Sequence, residues 1–331
     1  MSTQKAPKTH TLKNLITSPQ TLIFILLILA SLVFFTFKTP NFSYLKISNL
    51  NNILTDAVIP AIFAFGMGII LAGSGFDLSL GTIASIIALI VAYLMSYGIG
   101  FYPIPAILIG LLIAAGIGTV SGLLVSRLGI SSFIVTLGMQ FLIIGVRQTI
   151  TGGSSVYINN PSFKGLASNQ FGVSNLVIIL IIVGVLCYFL MEKSTFGRKI
   201  QFVGENIEAS KFMGLDIKNI TMLIFTLGAI LAGFGGILFA ARAGAVQINS
   251  VDSMLLDAIT IAVFSSVLFG RFRTIGIVLV AILISMIGTG MNMMGVQTGW
   301  IDFMKGLILL ISIVMSALMN LPKTKAMLFK K

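Results

Sequence analysis

The chain of 331 residues is strongly apolar: hydrophobic residues make up 57% of it, charged residues 9%, and the mean hydropathy is +1.07. A water-soluble domain carries about 25% charged residues, so most of this surface must face lipid. The length suits about ten spans of ~20 residues with short connections and leaves no room for a soluble catalytic domain. The net charge is +12, but the basic residues lie in loops and tails between apolar runs, which indicates topology signals rather than nucleic-acid binding.

The composition also excludes several kinds of chemistry. The one cysteine, Cys187, lies in an apolar run, and the one histidine, His10, lies in the polar leader. An intramolecular disulfide, a thiolate metal site and a histidine metal cluster are therefore excluded. The chain has no G-x-x-x-x-G-K-[ST] loop for nucleotide phosphates. We expect no metal, no cofactor and no enzymatic site, so ATP hydrolysis, if it supplies energy, takes place on another polypeptide.

Ten apolar runs are long enough to cross a bilayer, and we expect each to form a helix. The first follows a basic leader, as a signal peptide does, but Pro40 and Asn41 come after it instead of a small-residue cleavage site. We therefore interpret it as a retained span. In chain order the runs cover residues 21–37, 57–73, 79–97, 103–125, 130–150, 172–191, 221–241, 255–270, 274–291 and 301–319.

Basic residues indicate how these spans are oriented. Of the 21 lysines and arginines, three fall in outer segments, three (Arg147, Arg242 and Lys305) lie at or within spans, and the other fifteen fall in inner segments. This bias follows the positive-inside rule. We therefore predict an all-α, polytopic membrane protein with about ten transmembrane helices and cytoplasmic N- and C-termini. Its parts are a leader (1–20), a single transmembrane domain (21–320) and a basic tail (321–331).

The motif G-F-D-L-S-L-G at 75–81 places a carboxylate, Asp77, in a glycine-broken apolar stretch. A charged residue at membrane depth costs ~2.5–3.5 kcal/mol on insertion scales and usually serves function. Broken apolar segments are also where transporters place backbone against a solute. We therefore take Phe76, Asp77 and Ser79 as candidate pathway residues. The alternative is that Asp77 caps the helix that begins near Ser79.

Four more polar residues, each set in an apolar run, are candidates for the solute pathway: Thr136, Gln140, Ser265 and Asn292. Passage of a polar solute needs a few hydrogen-bonding groups that bind weakly. The alternative for each is a hydrogen bond to the backbone of a neighbouring helix, which is common in membranes.

Charged residues near the outer ends of spans are expected to neutralise one another. We predict that Arg242 pairs with Asp257, as a gate or a structural ion pair, and that Asp302 pairs with Lys305 at i,i+3.

Two segments between spans are unusually long. The outer one, 151–171, is polar and rich in turn residues, whereas the inner one, 192–220, carries both signs of charge. Within the inner segment, E-N-I-E-A-S-K-F-M-G at 205–214 has a helix-forming composition with Phe212 among charges. The pattern predicts a short amphipathic helix that docks a partner, the alternative being a solvated loop.

Motifs in the same order along most of the chain resemble those of bacterial ABC importer permeases of the ribose, galactose and autoinducer-2 type. G-S-G-F-D-L-S-L-G at 73–81 resembles G-G-I-D-L-S-V-G, and S-F-I-V-T-L-G-M at 132–139 resembles F-I-x-T-L-x-M. The run at 196–215 is similar to L-G-R-x-I-Y-A-x-G-G-N-x-x-A-A-x-x-S-G-I. An L-D-A-I stands at 256–259, and G-M-N-M-M-G-V at 290–296 resembles G-L-N-L-x-G-V.

Within this resemblance, Glu208-Ala209 followed by Gly214 matches the E-A-A-x(3)-G pattern of the loop that forms the coupling helix. In ABC importer permeases that helix sits in a cleft of the ATPase. The resemblance therefore implies that Glu205, Glu208, Ala209 and Gly214 belong to an ATPase-coupling element.

The resemblance implies a permease subunit of an ATP-driven importer for a monosaccharide such as ribose, or a related small polar solute. It implies four kinds of surroundings: a second permease chain in a homo- or heterodimer, two ATP-binding cassette subunits, an extracytoplasmic solute-binding protein, and the lipid of the bacterial cytoplasmic (inner) membrane. No nucleic acid is implied.

Departures from the family pattern leave the substrate open. The G-G-T-S-x-x-G-G that follows L-D-A-I in the family is F-S-S-V-L-F-G-R-F-R here, at 264–273. The usual Glu two residues before the Asp of that motif is Leu255, and the usual Arg near the end of the fifth span is Ile144, with Arg147 one turn later. A nucleoside, a branched-chain amino acid and autoinducer-2 remain alternative substrates. An ion-coupled secondary transporter is the alternative from another class.

Overall fold

The computed structural model describes residues 19–96, 100–170, 172–269 and 271–319, and these are mostly helical. The predicted leader and basic tail lie outside this part of the chain, apart from Pro19 and Gln20 at the start of the first helix. The α-helices are α1 (Pro19–Lys38), α2 (Ile47–Ala72), α3 (Leu80–Leu94), α4 (Pro103–Leu128), α5 (Ser132–Thr151), α6 (Pro161–Lys164), α7 (Asn175–Tyr188), α8 (Thr195–Glu205), α9 (Ile207–Phe212), α10 (Ile217–Ala243), α11 (Met254–Phe269), α12 (Thr274–Met293) and α13 (Thr298–Met319).

Each of the ten apolar runs coincides with a helix. Within the described residues, seven helices are long and apolar enough to cross a membrane: α2, α4, α5, α7 with the turn after it, α10, α12 and α13. Three shorter apolar helices lie over 24–38, 80–94 and 254–269. The count of ten spans therefore stays a prediction, while the seven long apolar helices make the chain a multi-pass, helical membrane protein.

Helix α2 begins ten residues before the apolar run that predicted it, at Ile47 instead of 57. The ten added residues, I-S-N-L-N-N-I-L-T-D, are more polar than the run that follows them, so they did not form part of the predicted apolar run. An apolar run marks the part of a helix that faces lipid or a core, and the helix itself continues wherever its backbone stays hydrogen-bonded. Most of the apolar part of α2, 83%, is buried, so α2 is the central helix of the bundle.

The core forms where α10 packs against α2, α3 and α4, while α11 and α12 also pack against α2. Two glycine contacts let these backbones approach closely. A Cβ at Gly66 of α2 would lie 2.8 Å from the carbonyl oxygen of Gly228 in α10, and a Cβ at Gly236 would lie 2.2 Å from that of Ala84 in α3. Such small-residue contacts are how membrane helices gain packing energy.

Short elements complete the connections between the helices. Strand β1 (Val156–Tyr157) pairs antiparallel with β4 (Ala245–Val246), with Val156 opposite Val246, so the long outer segment is held to the end of α10. Strands β2 (Asn169–Gln170) and β3 (Val173–Ser174) form a second small ladder. The remaining elements are 3₁₀ turns at Pro40–Leu45 and Gly165–Ala167 and a π-helical turn at Phe189–Lys193.

Candidate functional site

The D-L-S motif lies in an irregular segment, residues 73–79, between the end of α2 and the start of α3. Two of its backbone amides are held by hydroxyls of α5: Phe76 N–H donates to Ser132 Oγ at 3.3 Å, and Leu78 N–H donates to Thr136 Oγ1 at 3.1 Å. Backbone without regular structure needs such partners when it is buried. The segment is therefore a built part of the helical bundle.

Asp77 is completely buried in this segment. Its Oδ1 accepts hydrogen bonds from the backbone N–H of Ser79 at 2.7 Å and from Ser79 Oγ at 2.6 Å. This is an Asx turn just before α3, as the capping alternative describes. Its other oxygen, Oδ2, has no hydrogen-bond partner among the described residues. Capping therefore accounts for one oxygen of the carboxylate and leaves the second unexplained.

Thr136 joins the group formed by Phe76, Asp77 and Ser79, and Gln140 follows one turn later on α5. Thr136 is buried, and its hydroxyl, besides accepting from Leu78, donates to the carbonyl of Ser132 at 2.8 Å. Gln140 is half-buried. The bonding of Thr136 to backbone is the alternative that the sequence left open for it.

The other two pathway candidates lie on different helices. Ser265 of α11 is buried against α12, where a Cβ at Gly276 would lie 2.6 Å from its Oγ. Asn292 is exposed in the last turn of α12. No hydrogen bond within the described residues links either of them to Asp77.

The predicted pair of Arg242 with Asp257 is wrong. Arg242 of α10 pairs with Asp56 of α2, which also accepts a hydrogen bond from Thr289 of α12 at 3.5 Å. Asp257 of α11 pairs with Lys305 of α13, whose Nζ lies 2.8 Å from Oδ1 and donates to Oδ2 at 3.0 Å.

The predicted i,i+3 pair of Asp302 with Lys305 is also wrong, because Lys305 pairs with Asp257 instead. Lys305 reaches across to α11, which packs against α13, instead of along its own helix. A charge buried between two helices gains more from a partner on the facing helix than from an exposed neighbour.

A buried ion pair that the sequence analysis missed lies near the start of α3. Arg147 of α5, whose side chain is 5% exposed, makes a bidentate bond with Asp252, and its Nη1 donates to Oδ1 at 2.6 Å. Ser85 of α3 donates to the same oxygen at 2.6 Å. Arginines in membrane helices pair with acidic side chains or with backbone carbonyls. Since the chain has nine acidic residues, testing each of them as a partner of Arg147 was the available signal in the sequence.

The segment 192–220 is mostly helical: the short helix predicted within 205–214 is α9 (Ile207–Phe212), and α8, a helix that was not predicted, ends at Glu205. Asn206 is extended (φ −158°, ψ 103°) and separates α8 from α9, so Glu205 ends one helix and Glu208 lies in the first turn of the next. Asn206 is also the N-cap of α9, since its Oδ1 accepts from the backbone N–H of Ala209 at 2.9 Å. The E-N sequence is thus a helix boundary.

Helix α9 presents an apolar tip. Phe212 is 91% exposed and Met213 57% exposed, while Glu208 and Lys211 pair on the surface at 2.8 Å. Gly214 has a φ of +73° and ends the helix in a Schellman arrangement: its N–H bonds the carbonyl of Lys211, and the next N–H bonds that of Ser210. Together with Ile207, which is also exposed, Phe212 and Met213 give α9 an apolar surface next to charged side chains.

The R-F-R turn at 271–273, where the sequence departs from the family pattern, lies against the segment 192–220. Glu192 accepts from Arg273 Nη1 at 3.0 Å and from the backbone N–H of Thr274 at 2.9 Å, so it caps the start of α12. Arg271 contacts Gln201 of α8 at 3.5 Å. These contacts were not predicted, because they join residues 70 to 82 positions apart.

In the described ranges, no group of three or more His, Cys, Asp or Glu side chains could hold a metal ion. The arrangement is thus an irregular segment around the buried Asp77, ion pairs between helices, and a helical protrusion formed by α8 and α9.

Comparison with known proteins identifies the class. Residues 49–313, well over half of the chain, match the family described as branched-chain amino acid transport system / permease component. The chain belongs to this permease family, whose members are subunits of ABC transporters and not themselves catalytic.

Similar curated proteins are sugar permeases by name. The ribose import permease protein of Escherichia coli strain K12 is 29% identical over 283 residues, which cover 83% of this chain and 87% of that protein. The Bacillus subtilis ribose import permease protein is 28% identical over 298 residues (88% and 90%). The galactose/methyl galactoside import permease protein of Haemophilus influenzae is 29% identical over 315 residues (89% and 93%).

Proposed function

We propose that the chain is the membrane permease of an ATP-driven importer for a monosaccharide such as ribose, or a related small polar solute. The observation that carries this proposal is the combination of its permease family with relatives named for ribose and galactose import, each aligned over more than four-fifths of both chains. The family's own description names branched-chain amino acids, and these are the runner-up substrate.

The cytoplasmic protrusion formed by α8 and α9 is the proposed seat of the ATPase. Its support is physical: an exposed apolar tip at Phe212 and Met213, rimmed by the charges of Glu208 and Lys211, fits a partner's cleft. Glu205 and Ala209, both exposed, lie on the same protrusion. Two ATPase subunits, a second permease chain and an extracytoplasmic solute-binding protein complete the proposed importer.

The solute pathway is proposed to pass the segment 73–79. Phe76, Asp77, Ser79, Thr136 and Gln140 form its inner part, and the buried, half-satisfied carboxylate of Asp77 is the group that organises it.

Ser265 and Asn292 are proposed to line other parts of the pathway. Ser265 is enclosed between α11 and α12, and Asn292 lies at the end of α12. The pairs Arg242–Asp56 and Asp257–Lys305 are proposed to hold the outer helix ends together, in place of the pair predicted from the sequence.

The proposed topology has ten spans with both termini in the cytoplasm. In a Cys187→Ala background, a cysteine at exposed Ser154 should react with an impermeant maleimide in intact cells, because 151–171 lies outside. A cysteine at exposed Lys199 of α8 should react only after the membrane is opened. Labelling of both positions from the same side would contradict this topology.

Uptake by reconstituted vesicles tests the substrate class. Vesicles that contain the chain, its ATPase subunits and its solute-binding protein should accumulate a labelled monosaccharide. Related sugars should compete with this uptake, and leucine should not. Competition by leucine and not by sugars would replace the sugar with the runner-up substrate.

A further inference from the structure

We propose that Ser74, an exposed residue of the irregular segment 73–79, is the positioning residue that carries movement of α8 and α9 to the buried Asp77 of that segment. This inference rests on the proposed coupling role of α8 and α9, and it adds the point of contact through which that role is exerted. Ser74 matched no chemistry in the sequence analysis, and its importance comes from where the fold puts it.

Ser74 joins two distant parts of the chain. Its Oγ donates a hydrogen bond to the carbonyl of Gly204 at 2.8 Å, across 130 positions of sequence. Gly204 lies in the last turn of α8, where carbonyl groups have no partner within the helix. The Ser74 hydroxyl therefore supplies a hydrogen bond that the end of α8 lacks.

The backbone of Ser74 is strained. Its φ is +59°, in the left-handed region that residues other than Gly and Asn seldom adopt. A glycine is the usual residue for this conformation, and glycines stand on both sides, at Gly73 and Gly75. Keeping a serine in the strained position is consistent with a need for its hydroxyl.

The contact between α2 and α8 leaves no slack. A Cβ at Gly204 would lie 2.0 Å from the carbonyl oxygen of Ala72, so the backbones touch directly. A Cβ at Gly73 would lie 2.6 Å from Ile224 of α10. Closely packed elements transmit displacement instead of absorbing it.

On its other side, the segment is tied to the proposed pathway. Two residues beyond Ser74, the amide of Phe76 bonds Ser132 of α5, and the amide of Leu78 bonds Thr136. Asp77 and Ser79 then lead directly into α3. A shift of α8 by the ATPase would therefore pull on the segment at Ser74 and change its register against α5.

The test compares Ser74→Gly with Ser74→Asn in the assembled importer. Glycine accepts the positive φ without strain but has no hydroxyl, whereas asparagine tolerates this φ and brings a side-chain N–H that can donate to the Gly204 carbonyl. Ser96→Ala is the matched control, because the one hydrogen bond of the Ser96 hydroxyl among the described residues is exposed and stays within its own turn, to the carbonyl of Tyr93.

We expect Ser74→Gly to assemble and to hydrolyse ATP at the basal rate, while the solute imported per ATP hydrolysed falls about fivefold, the effect of one lost hydrogen bond. Ser74→Asn should recover part of this ratio, and Ser96→Ala should leave it unchanged. A wild-type ratio in Ser74→Gly would overturn the proposal. So would failure of Ser74→Gly to assemble, since Ser74 would then serve the fold alone.

The outcome separates this inference from the function on which it rests. If Gly214→Val, which distorts the end of α9, leaves ATPase binding and uptake intact, the coupling role of α8 and α9 is wrong. If Gly214→Val uncouples the importer and Ser74→Gly does not, the coupling role stands and only the role of the Ser74 contact is wrong.

Discussion

Replacing Gly214 with valine is expected to uncouple the importer while the permease still inserts in the membrane. Gly214 has a φ of +73°, and its N–H closes the Schellman arrangement that ends α9. A β-branched residue there costs about 1–2 kcal/mol, which corresponds to roughly 5- to 30-fold in an equilibrium. The exit of the chain from α9 should change, and with it the direction of the apolar tip at Phe212.

The measurement for Gly214→Val is solute uptake together with stimulation of ATP hydrolysis by the loaded solute-binding protein. Both should fall by the factor given above. Gly100→Val is the matched control: Gly100 has a φ of +67° and, like Gly214, no described residue within 4 Å of the position of a Cβ, so valine there meets the same unfavourable φ away from α9. Equal losses in the two variants would contradict a specific role for α9.

Replacing Asp77 with asparagine should reduce uptake strongly and leave the amount of assembled protein unchanged. The amide oxygen of asparagine accepts the same two hydrogen bonds from Ser79, so the turn before α3 is kept. What is lost is the charge of the carboxylate, whose second oxygen, Oδ2, has no hydrogen-bond partner among the described residues. A hydrogen bond to a charged group is worth about 1.5–3 kcal/mol, so uptake should fall about tenfold or more.

Asp216→Asn is the control for Asp77→Asn. Asp216 caps α10 from an exposed position, where its carboxylate accepts from the backbone N–H of Asn219 at 3.1 Å. Capping is preserved by asparagine, so this variant should transport like the wild type. Wild-type uptake by Asp77→Asn as well would reduce Asp77 to a cap and remove it from the pathway.

The helices were predictable because apolar runs are a one-dimensional signal. Each apolar run coincides with a helix. The largest error in a predicted boundary is the start of α2, where the helix extends into polar residues. The division between α8 and α9 was also readable in principle. Asn206 is a good N-cap residue, but the helix-forming composition of 205–214 put the start of the predicted helix at Glu205 instead of Ile207.

Charge pairing was not predictable, because it depends on which helices face each other. Arg242 and Asp257 are close in sequence and near the outer ends of consecutive spans, but α10 turns its arginine toward α2 and α11 turns its aspartate toward α13. The strain at Ser74 is likewise invisible in sequence, since a serine between two glycines indicates only a turn.

The energy source of uptake tests the central claim most directly. Vesicles that contain the chain, with and without ATPase subunits, should be loaded with ATP and given solute together with the solute-binding protein. The account predicts that uptake requires the ATPase subunits and ATP and persists when ion gradients are abolished. Uptake that proceeds without the ATPase subunits, driven by an ion or proton gradient, would contradict it and make the chain a secondary transporter.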